Sequence, residues 1–347
     1  MTHDYERLPD PGEGLRLHLN ENTAGCSPRV LDALRRVTAE QVAFYPDYAA
    51  ATGACAEHLG VPADRVLLTN GLDEGILAVA IAALRGDAPG AGEAIVVEPA
   101  FDMYAACVDV AGGRVVPVAP RPDFGFPLEE IIGALTPATR LVFACNPNNP
   151  TGKTVDREVL GRLAGRLPAG ALLLVDEAYA GFGAPSFCDE LEPHPNVVVG
   201  RTFAKGHGLA ALRIGCLVGV PETLAPIRRV VPPYSVNVFA VVGLRAALED
   251  RAYHAWYVSQ VAASKRLIYE MCDRLGLQYW PSAANFVLIR LGDRAGALVT
   301  QLAGRRIFIR DRSGEPGCGG SVRVTAGIIE HTRACVDAME ELLCGAR

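Results

Sequence analysis

The sequence lacks the marks of a membrane, secreted or nucleic-acid-binding protein. No run of about 18 or more apolar residues is free of charge, which excludes a helical membrane span. Basic residues are not in excess. Against 39 Asp and Glu stand 33 Lys and Arg, and a net charge of -6 argues against nucleic acid as the main partner. The ten cysteines (26, 55, 107, 145, 188, 216, 272, 318, 335 and 344) form no CxxC pair and no Cys/His cluster with zinc-site spacing, so no metal is expected. They read as free thiols in a reducing compartment, filling space as small apolar residues. Met1-Thr-His-Asp-Tyr-Glu-Arg7 has no apolar core after a basic start, so no signal peptide and a cytoplasmic location are expected. Internal repeats and low-complexity segments are absent, and Ala88-Pro-Gly-Ala-Gly-Glu93 reads as a loop too short to be a linker.

What is present is enough apolar material, 50% of 347 residues, to fill two interleaved domains. From about residue 62 to 220, short β-branched runs alternate with helical stretches, the pattern of a sheet wrapped by crossover helices. The expected strands lie at 65–69, 94–97, 114–118, 140–144, 171–175, 196–200 and 212–218. Several are apolar without alternation, which suits strands covered on both faces. After Pro221 a helix to about Val231 is stopped by Pro232-Pro233, and a long helical stretch runs from Val238 to Leu275. Strands at 285–289, 307–310 and 322–325, with helices between and after, read as a separate α+β domain. The arm before Cys26 is polar and turn-rich, and is expected to pack on a neighbour rather than form a domain.

Four segments carry chemistry: Asn146-Pro-Asn-Asn-Pro-Thr-Gly152, Val175-Asp-Glu-Ala-Tyr179, Arg201-Thr-Phe-Ala-Lys-Gly-His-Gly208 and Ser321-Val-Arg-Val-Thr325. Asp176 closes an apolar run, so its carboxylate sits at the end of a buried strand, where an unpaired charge is costly and a cationic partner relieves the cost. Thr69-Asn-Gly-Leu-Asp-Glu-Gly75 follows a strand and opens a helix, so the N–H groups of Gly71, Leu72 and Asp73 form an anion site. Each segment alone has a plainer reading: a proline turn, a strand-end turn, a glycine-flanked surface lysine, and an arginine on a solvent-facing strand.

Together, and in this order, the segments resemble the fold-type I, class I/II aminotransferases, most closely their histidinol-phosphate aminotransferase branch. The likeness runs from Leu19-Asn-Glu-Asn22 to Arg323. It implies an α/β fold: a large domain with a mostly parallel central sheet wrapped by helices, plus a smaller α+β C-terminal domain. The divisions would be an arm and small-domain segment over 1–40, a cofactor-binding domain over 41–237 and a small domain over 238–347. It implies pyridoxal 5'-phosphate as cofactor, with Lys205 forming the Schiff base and moving the proton, which requires a desolvated, electropositive pocket. Asp176 would pair with the pyridine nitrogen and keep the ring an electron sink. Tyr179 and Asn149 would bond the ring's 3'-oxygen, and Phe101 would stack on its face. Arg213, Thr202 and the N–H groups at Gly71, Leu72 and Asp73 would hold the phosphate, joined by Tyr45 from a second copy in a homodimer.

On the substrate side the resemblance places Arg323 on a carboxylate, Arg310 as a second arginine, and Asn20 and Asn22 of the arm over the pocket. His207 is given a packing role. The substrates would be a small-molecule amino donor, either an amino acid or a phosphorylated amino alcohol, and a 2-oxo acid acceptor such as 2-oxoglutarate, in a ping-pong cycle. Two departures stand out: Ala24 replaces a common arm tyrosine, and Ala204 replaces a common serine. The first leaves room for a different donor, including one from a secondary-metabolite pathway. A decarboxylase of the same fold, like those acting on O-phosphothreonine, uses the same residue set and stays open. A ligand-binding module without catalysis is a third reading.

Overall fold

The computed structural model describes residues 11–85 and 92–345; the first seven residues and positions 88–91 of the expected loop lie outside them. The chain begins with β1 (Leu15–Arg16), α1 (Pro28–Leu34), α2 (Ala39–Ala43) and α3 (Ala49–Leu59). A βα alternation follows: β2 (Val66–Thr69), α4 (Gly71–Leu84), β3 (Glu93–Val97), α5 (Met103–Val110), β4 (Arg114–Val118), α6 (Leu128–Ala134) and β5 (Thr139–Cys145). It continues with α7 (Arg157–Ala164), β6 (Leu172–Asp176), β7 (Val197–Thr202) and β8 (Gly215–Val218). These strands form a seven-stranded sheet of order β2-β8-β7-β6-β5-β3-β4, in which β8 runs against both neighbours and the other pairings are parallel.

The unalternating apolar runs are explained by burial on both sides. Along β6, Leu173 and Val175 face a core shared with α3, α7 and α9 (Val238–Glu249), while Leu174 faces one shared with α4, α5 and α8 (Pro221–Arg228). The strand expected from 212 begins only at Gly215. Arg213 takes a left-handed backbone (φ 55°, ψ 66°) that turns the chain before the ladder starts. At Gly215 the sheet and α4 nearly touch: an added Cβ would lie 2.7 Å from the Leu72 nitrogen and 2.9 Å from the Arg201 oxygen. Neither backbone atom can move cheaply, so Gly215→Ala should cost about 3 kcal/mol or more. A urea-melt midpoint matching wild type would refute this.

The helical stretch from 238 is split. Asp250 leaves helical geometry and caps α10 (Arg251–Leu275) by accepting from the Tyr253 N–H. α9 buries Ala240 and Leu244 with the large sheet, whereas α10 buries Tyr257, Val261 and Ile268 elsewhere. The change of core therefore comes at Asp250, later than the division expected at 238. The second core belongs to β9 (Gln278–Trp280), β10 (Phe286–Arg290), α11 (Ala295–Gly304), β11 (Ile307–Phe308), β12 (Arg310–Asp311), β13 (Ser321–Thr325) and α12 (Ile329–Cys344). Its antiparallel sheet has the order β12-β13-β10-β9.

The single strand expected at 307–310 is two. β11 pairs in parallel with β1 of the arm, while β12 pairs with β13. The arm thus packs within its own chain: Leu17 is fully buried in the small-domain core, and its N–H and carbonyl bond Phe308 and Thr325 at 2.8 and 3.0 Å. By contrast α1, farther along, packs against α9 and buries Val30 with the large sheet. Among the described residues no helix is long and apolar enough to cross a membrane.

Candidate active site

Parallel strands present their carboxyl ends on one rim, and ligands of open α/β sheets bind there, where the strand order reverses. The last residue of β6, Asp176, and the segments following β2, β3, β5 and β7, with Leu72, Phe101, Asn149 and Lys205, contribute to one cleft of about 510 Å³. That volume suits a small-molecule site. The facing wall is the small domain's, with Arg310, Arg312 and Arg323, and the arm adds Asn20 and Glu21.

Asp176 is 4% exposed. Its Oδ1 accepts from the Ala178 N–H at 2.9 Å and its Oδ2 from the Tyr104 hydroxyl at 2.6 Å, and no cation pairs with it among the described residues. Burial pushes its pKa up to about 6, against the pull of those two donors. Tyr104 is itself fully buried and stacks on Phe143 at 4.6 Å. Phe101 stands edge-on to Tyr104 at 5.9 Å. The sequence reading missed Tyr104, which lies on the first turn of α5, three residues after Phe101.

Lys205 sits in a tight turn, half-buried, with Nζ donating to the Leu19 carbonyl at 2.9 Å and lying 5.9 Å from the Tyr179 ring centre. Desolvation, followed by the charge of Arg323, lowers its pKa to about 8, with Glu21 and Asp73 pulling the other way. At mildly alkaline pH a substantial fraction is therefore the free amine, the form that attacks a carbonyl or takes a proton.

At the start of α4, no side chain caps the first-turn N–H groups, and Gly71 is left-handed (φ 76°). The Arg213 guanidinium approaches so closely that an added Cβ at Gly71 would lie 2.6 Å from it. Arg213 also donates to Asp73 at 2.7 Å, and Thr202 lines the cleft nearby with its hydroxyl accepting from the Ala204 N–H. A helix N-terminus, a half-exposed guanidinium and a hydroxyl make a site for a phosphate.

On the opposite wall, Arg323 is 5% exposed and bonds only neutral oxygens: Asn149 Oδ1 and the His18 carbonyl, the latter at 2.7 Å. Its Nε has no partner, and burial lowers its pKa to about 10. A buried guanidinium without a carboxylate is an incomplete ion pair awaiting an anion. The Tyr179 hydroxyl accepts from Asn20 Nδ2 at 3.1 Å, and burial raises its pKa to about 12.

Two expected site residues, Asn22 and Tyr45, stand off this chain's cleft, and His207 packs as expected. Asn22 is not on the cleft wall: it donates to the Gly206 carbonyl at 3.0 Å and accepts from the Ala24 N–H, tying the arm to the lysine turn. Both ends of its short amide are spent on backbone. Tyr45 is 77% exposed and stacks on Tyr234 at 4.3 Å, outside this chain's cleft. His207 stacks on His254 at 4.3 Å and stands edge-on to His58, with burial depressing all three imidazoles.

The arrangement fits pyridoxal phosphate on its own terms. It offers an amine for the aldehyde, a buried carboxylate lacking a cation for the ring nitrogen, an aromatic side chain on the cleft wall at Phe101 and an uncapped helix start for the phosphate. Comparison with known proteins bears on the same point. A family model described as aminotransferase class I and II matches residues 13–338. Histidinol-phosphate aminotransferase of Moorella thermoacetica is 34% identical over 342 residues, covering 95% of this chain and 85% of that protein. The enzyme of the same name from Roseobacter denitrificans is 36% identical over 342 residues, with 96% and 92% covered. The crystal structure of histidinol-phosphate aminotransferase from Sinorhizobium meliloti in complex with pyridoxal-5'-phosphate superposes with a TM-score of 0.86 at 27% identity, covering 96% of this chain and 92% of that one.

Proposed function

The chain belongs to the class I and II aminotransferases, pyridoxal-phosphate-dependent enzymes, and from that premise we propose which residues perform the transfer and on what substrates. When bound, the cofactor supplies the electron sink for a carbanion at the substrate Cα. Lys205 would hold it through Nζ, and the same nitrogen, as the free amine, would take the substrate Cα proton. Asp176, whose carboxylate accepts from the Tyr104 hydroxyl and the Ala178 N–H, would pair with the ring nitrogen and favour its protonated form. Arg213, Thr202 and the first turn of α4 would hold the phosphate. Arg323 takes the carboxylate of the 2-oxo acid, and of the donor where that is an amino acid.

The donor is an amino acid or a phosphorylated amino alcohol resembling histidinol phosphate, and the acceptor is 2-oxoglutarate. The observation that carries this reading is a desolvated lysine amine and an uncompensated buried carboxylate facing one cleft, with an unpaired guanidinium on the opposite wall. The test is the absorbance of the pyridoxal-phosphate-loaded protein mixed separately with L-histidinol phosphate, L-phenylalanine and L-glutamate. One donor should convert the cofactor band to that of pyridoxamine phosphate, and 2-oxoglutarate should restore it. Persistence of the first band with every donor, accompanied by carbon dioxide release from a phosphorylated amino acid, would favour the lyase.

The exposed stack of Tyr45 and Tyr234, beside exposed Phe44 and Val42, supports a homodimer in which Tyr45 reaches the partner's cofactor phosphate. Ten cysteines without a disulfide suit a cytoplasmic setting.

A further inference from the structure

Lys265, on α10 of the small domain, is a buried cation that no step of the proposed reaction uses. It is 8% exposed, burial lowers its pKa to about 8, and its Nζ donates at 2.7 Å to a neutral oxygen, the Ser282 carbonyl. No carboxylate pairs with it among the described residues. Replacing a buried charge by an apolar side chain is often neutral or better for stability, so stability does not explain the ammonium.

What the acceptor touches does. The Ser282 carbonyl and the Ala283 N–H belong to one peptide group, and across a trans peptide they point opposite ways. On the far side the Ala283 N–H donates to the Gly152 carbonyl at 2.9 Å. Lys265 and Gly152 thus share a single amide, and a charged donor on its oxygen polarises its N–H, strengthening the second bond through the first. The shared peptide lies in the loop between β9 and β10. Tyr269, one turn after Lys265 on α10, holds the same loop by accepting from the Ser282 N–H at 2.9 Å. Only glycine permits the approach: Gly152 is left-handed (φ 72°), and an added Cβ would lie 2.9 Å from Ser282 Cα. Gly152 closes the turn that carries Asn149, its N–H donating to the Asn148 carbonyl at 2.8 Å. Asn149 Oδ1 accepts from Arg323, which leaves Nδ2 as the end that can donate to a ligand in the cleft.

We propose that Lys265 is a positioning residue: through the Ser282–Ala283 peptide it holds the Asn149 turn of the large domain against the small domain, and so fixes the amide that meets the cofactor's 3'-oxygen. The inference rests on the reading that places pyridoxal phosphate in this cleft, and the two can fail separately. An amide donating to that oxygen competes for it with the protonated link between cofactor and Lys205, and so lowers the pKa of the link. The experiment titrates the absorbance of the loaded protein against pH and follows hydrogen exchange at residues 148–153 and 281–284 by mass spectrometry. Lys265→Met should raise the midpoint by about 0.5 to 1 unit, the worth of a loosened hydrogen bond, and speed exchange in both segments. Lys265→Gln, shorter by a methylene, should do the same, so the result does not hang on the folding of one variant. Ser282→Ala is the control. It removes the hydroxyl that accepts from the Ala284 N–H at 3.1 Å but keeps the shared peptide, so it should lower the melting temperature and leave the midpoint unchanged. An unmoved midpoint in both Lys265 variants, or a shift in Ser282→Ala as large as theirs, would overturn the proposal. A wild-type spectrum indifferent to pH and to every donor would instead strike the cofactor reading, and exchange at residues 148–153 would still decide whether Lys265 holds the turn.

Discussion

Lys205→Ala should lower turnover by roughly 10⁴-fold or more while leaving pyridoxal phosphate able to bind. Removing a positioned proton carrier alone costs on the order of 10²- to 10⁴-fold, and the covalent anchor is lost as well. The phosphate cradle at α4 and Arg213, and the carboxylate of Asp176, lie on other segments and remain. The variant should therefore take up the cofactor with the absorbance of the free aldehyde, and that band should shift on adding a small primary amine, which can also restore part of the turnover. Lys205→Arg should show no such rescue, because a guanidinium stays protonated and fills the space. The Leu19 carbonyl, which accepts from Nζ at 2.9 Å, explains why the amine points into the cleft at all. A variant with more than about a hundredth of wild-type turnover and no added amine would remove Lys205 from the reaction.

What could be read beforehand followed from local pattern. Leu172 to Val175 is apolar on both faces because helices cover both, so a buried strand ending in a charge was visible at Asp176. The uncapped start of α4 was legible from Thr69 to Gly75 for a similar reason: a β run, then glycine, then a helical period. The misses are long-range. The pairing of β1 with β11 joins residues 15 and 307, and nothing in either dipeptide names its partner. The break at Asp250 hides within a pattern that stays helical on both sides, and only the cap on Tyr253 reveals it. Arg213 looked like the second residue of a strand because arginine has no preference that betrays a left-handed backbone. Asn22 was placed on substrate because the arm covers the cleft, but its amide turns inward to the lysine turn. Tyr104 was passed over because it acts through a neighbour, Asp176, that is remote in sequence.

Asp176→Asn should abolish activity and at the same time stabilise the cofactor-free protein at neutral pH. In the folded chain the carboxyl titrates near 6 against its usual 3.8, because burial outweighs the Tyr104 and Ala178 donors. A carboxyl whose folded pKa is raised binds its proton more tightly in the folded state. Its contribution to stability is thus fully present below about pH 4 and lost as the pH rises through 6. At pH 7 the ionised group costs the empty protein up to about 3 kcal/mol, from roughly two units at 1.36 kcal/mol each. Asparagine has the same shape, can still accept from the Ala178 N–H, and carries no charge to bury. The gain in melting temperature should appear at pH 7 and vanish near pH 4, where Asp176 is itself neutral. With pyridoxal phosphate bound the order should reverse, since the ionised carboxylate then has a cationic ring nitrogen to pair with and asparagine does not. Tyr104→Phe, which removes the shorter donor, should move the transition of the empty protein to higher pH without removing it. A melting temperature for Asp176→Asn equal to wild type at both pH values would mean that the carboxylate is already compensated in the empty cleft, and its pairing with the cofactor would then lose its driving force.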